Sequence, residues 1–257
     1  MTMENLTQFE QYFHTRADIA ESLCQVLKSQ IDAKIIITTA IDALSKIWLQ
    51  DFPNAAIQLR ESYGQEISEA RRFSEFLKIF AGRDSSSSKI AVICFAEDWK
   101  ENAKSLEDQD FANLLLRKRI NEDDPYQFPK SHLDLSISEL EVECPLILEN
   151  SNLNKIAREY EYGAFIYRFY RCPLVHSFKY SDRIHGFARD FEISYYQATN
   201  SKTAIDFGLQ RLTHWLRLAS TEYVQYCKQM GKIPAETLKS DEQPERAMSR
   251  LWNRYTR

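Results

Sequence analysis

The chain has 257 residues, 44% of them hydrophobic, with only six glycines and seven prolines. That is enough for one large or two small domains with a sizeable core, and the shortage of turn-formers argues for long helices over a turn-rich β fold. A formal net charge of −4 does not announce a nucleic-acid binder, and five cysteines without a CxxC pair argue against a zinc site or a disulfide framework.

Residues 4–32 read as helix, because Phe9, Tyr12 and Phe13, then Ile19, Leu23, Val26 and Leu27, recur at helical spacing. Lys34 to Asp51 follows. Its Ile35-Ile36-Ile37 run alone would suit a strand, but Ile37, Ile41, Leu44, Ile47 and Trp48 carry a helical period over too great a length. Lys34, Asp42 and Lys46 in the same segment exclude a membrane span there. Asn54 to Tyr63 reads as a short helix. Gln65 to Phe80 is a strong one, with Phe73, Phe76, Leu77 and Phe80 at i, i+3, i+4, i+7 and Gly82 where a C-cap is wanted. Arg71 and Arg72 beside these phenylalanines suggest a phosphate site, or more commonly solvated arginines with packed stems.

Asp84 to Ser88, with four consecutive serines, reads as a flexible loop. Lys89 to Phe95 is a short apolar run, either a strand or the start of a buried helix. Glu97 to Asp124 is polar apart from Phe111 and Leu114-Leu115-Leu116, which mark one helix, and Asn121 to Pro125 reads as a turn. Beyond it, Leu133, Leu135 and Ile137 alternate, as do Leu140 and Val142, so one or two short strands are expected in an otherwise irregular stretch. Glu139, Glu141 and Glu143 would then share a face, most simply a solvated one. No segment carries metal-ligand spacing, and neither a metal nor any other cofactor is expected.

Lys155 to His176 is the stretch on which the chain turns. Ile156, Tyr160, Gly163, Tyr167 and Tyr170 fall on one helical face, with Arg168 and Arg171 three apart on a neighbouring one. Pro173 removes a backbone donor and disfavours the α region for Cys172, so the regular helix should end or kink there, letting Arg171 and His176 point into one cleft. From Lys155 to Arg189 seven Lys/Arg face Glu159, Glu161 and Asp182, a local excess of +4 in an otherwise acidic chain. A local anion site would need such an excess, though surface charges also cluster by chance. Tyr167, Phe169 and Tyr170 offer faces for base stacking, but aromatics at this spacing are more often core.

After the motif, Ser177 to Tyr180 and Phe191 to Ala198 look extended around Gly186, as a hairpin or flap that also holds His185. Residues 203–230 read as the last long helix, capped by Ser201 or Thr203, with Ile205, Leu209, Leu212, Leu216, Ala219, Tyr223, Tyr226 and Met230 as its stripe. Arg246, Arg250 and Arg254 give the tail from Arg246 to Arg257 an arginine edge on a short amphipathic helix.

The string Tyr170-Arg171-Cys172-Pro173-Leu174-Val175-His176, an Arg-x4-His spacing after an aromatic helix, resembles the signature of the HEPN superfamily of helical ribonucleases and nucleotide-binding domains. Cys172 departs from the Asn, Asp or His that many active members carry after the arginine. The resemblance implies a mostly α, single-domain HEPN-like helical bundle over 1–257, with 84–150 as a small β or irregular insertion. It further implies a metal-independent endoribonuclease with a toxin or antiphage-effector role, whose composite site forms across a homodimer, with RNA as substrate and an antitoxin or regulatory partner; the unpaired cysteines for their part fit a reduced, cytoplasmic protein. Histidine supplies a proton-transfer group near neutrality and arginine a fixed charge for the phosphorane, which suits Arg171 and His176 to phosphodiester cleavage. Arg168, Lys179 and Arg183 are the expected substrate-binding residues. The competing reading is a non-catalytic HEPN-like module that binds a nucleotide or a protein.

Overall fold

The computed structural model describes residues 3–63, 66–120, 131–177, 181, 183–184, 188–197 and 202–234. The fold is mostly α, as expected. Leu6, Phe9, Phe13, Ala17 and Ala20 make a buried stripe along α1 (Met3–Leu27). The chain breaks at Lys28, whose φ of 56° lies in the left-handed region, and Ser29 caps α2 (Gln30–Asp51). The Ile35 run is therefore helical. α2 buries Ile37, Ile41, Leu44 and Trp48. Both helices pack against α12 (Leu209–Gln229), whose Leu212, Trp215, Leu216, Ala219 and Tyr223 are fully buried. Pro53 opens α3 (Pro53–Tyr63). α4 (Glu69–Phe80), capped by Ser68, closes the bundle against α2 and α12. Trp48, Phe76, Phe80 and Tyr223 meet there with ring centroids 5.0–6.1 Å apart. Gly82 does not cap α4 with a positive φ, yet a Cβ there would lie 2.3 Å from the Lys78 carbonyl oxygen.

A second apolar cluster is built by α5 (Val92–Glu101), α6 (Leu106–Arg117), α7 (Ile137–Glu143), α8 (Pro145–Glu149) and α9 (Ser151–Arg158) around Phe95, Leu115, Leu140 and Ile147. Two expectations change here, and one open alternative, at 89–95, is settled as a buried helix start. The serine run is a short 3-10 turn, not a flexible loop: Asp84 caps it, accepts from Arg211 and Trp215 of α12 at 2.6 and 2.9 Å, and Ser87 is buried. The apolar run at 89–95 resolves into two isolated bridges, Lys89 with Ser136 and Ile90 with Glu161, followed by the buried start of α5. The alternating stretch beyond Leu133 is helical, because Ser136 and Glu139 form a reciprocal capping box that starts α7. The glutamates then separate. Glu139 caps, Glu141 accepts from Asn154 at 2.7 Å, and Glu143 takes Arg119 at 2.8 Å.

The hairpin joins β1 (Ile193–Gln197) to β2 (Thr203–Phe207), antiparallel, with Tyr195 opposite Ile205. Thr203 to Phe207 is thus strand rather than the first turns of α12, and Gly208 marks the boundary. Ser177 is helical, while residues 178–180, Ser201 and the arginine-edged tail lie outside the described residues. Among the described residues no helix is long and apolar enough to cross a membrane.

Candidate functional site

The motif segment is not one helix ending at Pro173. α9 stops at Arg158, and the chain turns through Glu159 to Glu161. It then resumes as α10 (Tyr162–Ile166), a π turn (Tyr167–Arg171) and α11 (Cys172–Ser177). The turn at Glu161 is held from inside. Its buried carboxylate takes Arg71 at 2.8 Å, Ser74 at 2.9 Å and Lys78 at 3.3 Å. Arg71 is 4% exposed, so it is a buried partner rather than a solvated arginine. The helix passes Pro173 because the π turn widens it: the Cys172 amide donates to Tyr167, five residues back. The opened turn makes room for the proline ring and for the carbonyl that Pro173 leaves unpaired.

Helical continuity sets the relation of Arg171 to His176. Five residues of α-helix turn by about 140°, so the two side chains leave the axis in different directions. Arg171 points inward to α2: its Nη2 lies 3.0 Å from Asp42 Oδ2, and its guanidinium carbon stands 5.4 Å from the Tyr167 ring centroid. Burial works against the Arg171 charge, but Asp42 and Tyr167 offset it and raise the pKa above its ordinary value. Its Nε is buried without a partner among the described residues. His176 is exposed on α11, which packs against α2.

Asp42 gathers more than Arg171. Its Oδ1 takes Arg72 Nη2 at 2.6 Å, and its Oδ2 also takes Lys46 Nζ at 3.1 Å. Arg72 is fixed a second time by Ser45 Oγ, 3.0 Å from its Nε. Arg72 is therefore an ion-pair partner rather than a free solvated arginine, and its side chain keeps 12% of its surface exposed. The carboxylate is 2% exposed, whereas Lys46 reaches solvent.

The other expected residues scatter. Arg168 is half-exposed and pairs with Glu159. Arg183 is buried and clamps the hairpin to α5 through Glu97 at 2.8 Å, Asp98 and the Thr203 carbonyl at 2.8 Å. Lys179 and His185 lie outside the described residues. Tyr167 and Tyr170 are buried and Phe169 packs against the core, so these rings serve packing. Tyr170 donates to Asp206, which also holds Lys34 at 2.6 Å and the Ala188 amide at 2.7 Å. Among the described residues no group of three or more His, Cys, Asp or Glu side chains could hold a metal.

Asp42, Lys46 and Arg72 were not singled out by the sequence as partners of Arg171. The i, i+4 spacing of Asp42 and Lys46 signals a local helix pair, and nothing near it points to a residue 129 positions away. No family model, curated protein or solved structure matches the chain.

Proposed function

We propose that this chain is a HEPN-like, metal-independent endoribonuclease that works as a homodimer, with Arg171 stabilising the transition-state phosphorane and His176 moving the proton. The observation that carries the reading is the pairing of a guanidinium fixed by Asp42 and Tyr167 with an exposed histidine on the adjoining α11. A guanidinium held in place costs no reorganisation as charge develops on the phosphate, and an exposed imidazole is open to exchange protons with a bound strand. The two side chains diverge within one protomer, which supports a site completed by a second copy. Arg168, half-exposed one turn earlier, and Lys179 are the proposed strand contacts. Arg183 enters as the residue that holds the hairpin in place.

A second reading has its own support. Arg171 is engaged by a carboxylate, as it would be in a module that binds a nucleotide or a partner without cleaving anything. Incubation of the protein with single-stranded RNA in EDTA separates the two. The ribonuclease reading expects cleavage leaving 2′,3′-cyclic phosphate and 5′-hydroxyl ends. His176→Ala should slow it by roughly 10² to 10⁴ without lowering Tm. Equal cleavage by wild type and His176→Ala would end the claim.

A further inference from the structure

Resting on that reading, we propose that Lys46, Arg72 and Arg171 form a seat for one phosphate group of a bound RNA strand, with Asp42 as the buried counter-charge that fans them apart. A structural ion pair needs one cation per carboxylate, and Asp42 has three: Arg72 at 2.6 Å, Arg171 at 3.0 Å and Lys46 at 3.1 Å. A second carboxylate, the exposed Glu69, is tied to this patch by accepting from the Tyr167 hydroxyl. Even with it included, the cations outnumber the anions by one. Two of the three are anchored by a second contact, Arg72 through Ser45 and Arg171 over the Tyr167 ring. Each guanidinium gives one Nη2 to Asp42. Among the described residues nothing occupies the Nη1 of either, nor the remaining donors of the Lys46 ammonium. Preorganised donors with a surplus of charge, set over a buried carboxylate, suit a phosphate oxygen and do not require Asp42 to let go.

The seat makes Lys46 and Arg72 strand-positioning residues beside Arg171, on helices outside the motif. Its test uses a fluorescent 2′-O-methyl RNA, which lacks the nucleophile and is not cleaved, read by anisotropy across a salt series. Lys46→Ala should weaken binding of every sequence alike and lower the slope of log affinity against log salt by about 0.7, the share of one phosphate on a single strand. Arg72→Lys, which keeps the charge but loses the fork and its bond to Ser45, should weaken binding with the helical fold retained by circular dichroism. Affinity and slope unchanged in Lys46→Ala would overturn the seat, as would a wild type that binds no RNA. Competition by inorganic phosphate or ATP distinguishes sources: displacement by either only at concentrations far above the RNA supports a strand site, and tight ATP binding without RNA binding overturns it. Cleavable RNA run in parallel keeps the two proposals apart. Weakened RNA binding in Lys46→Ala without cleavage by wild type leaves the seat standing and ends the ribonuclease reading. Cleavage that Lys46→Ala leaves unchanged in KM and kcat does the reverse.

Discussion

Asp134 is 2% exposed and accepts hydrogen bonds from Tyr195 at 2.7 Å, from Tyr162 and from the Val92 amide at 3.1 Å. Burial pushes its carboxyl up to about 7, against the opposing pull of those donors. The unfolded carboxyl titrates at ~3.9. The folded state therefore holds the proton over a window in which the unfolded state has lost it, and this group's contribution to stability falls as pH rises from about 4 through about 7. Chemical denaturation across that window should show the protein losing on the order of a few kcal/mol from this source, and Asp134→Asn should flatten the slope. A slope identical in the variant would assign the titration elsewhere. At this scale the sequence was least legible. Asp134 stands in a stretch that alternates like a surface strand, and Asp42 looks like any helix charge. Both take their meaning from partners far along the chain, Tyr195 for one and Arg171 for the other.

The π turn and α10 were legible only as a helix in the right place. Hydrophobic period located α2, α4 and α12, because each buries a continuous stripe. It misplaced Thr203 to Phe207, where the strand's Ile205 happened to extend the stripe of α12. It also missed α7, whose sign was the Ser136–Glu139 spacing of a capping box rather than the apolar alternation around it. Gly163 shows what α10 needs. A Cβ there would stand 2.6 Å from the Ser74 Cα of α4, so the two backbones meet closer than any side chain permits. Gly163→Ala should cost about 1–3 kcal/mol, seen as a lower Tm, because backbone rather than a flexible side chain must yield. The effect should reach function too, since α10 leads directly into the turn that aims Arg171.

For the whole molecule, the mostly α class followed from composition and period. The division into two apolar clusters did not. They meet at Lys89 to Ala91, which run between Leu135 and Tyr160 to Tyr162, with amide bonds of 2.7–2.9 Å on both sides. The 84–150 segment is thus tied into the fold by backbone as well as by packing. A site completed by a second copy expects a solution mass of twice 30.2 kDa by light scattering, with isologous contacts near residues 165–180. A monomer at every concentration that still cleaves RNA would rule out the composite site.

The packing of α1 against α12 also has a consequence for how the chain is made. α1 leaves the ribosome before both of its main neighbours, α2 and α12. The remaining partner begins at Leu209, roughly 180 residues later. At ordinary elongation rates of about 5–20 residues per second, that is a wait of roughly 10 to 40 s. During it Phe9 and Phe13 have no Tyr223 side of the bundle to bury them. The nascent chain therefore carries an uncovered apolar ridge until α12 has been made, and a chaperone that shields such ridges would meet this protein at α1.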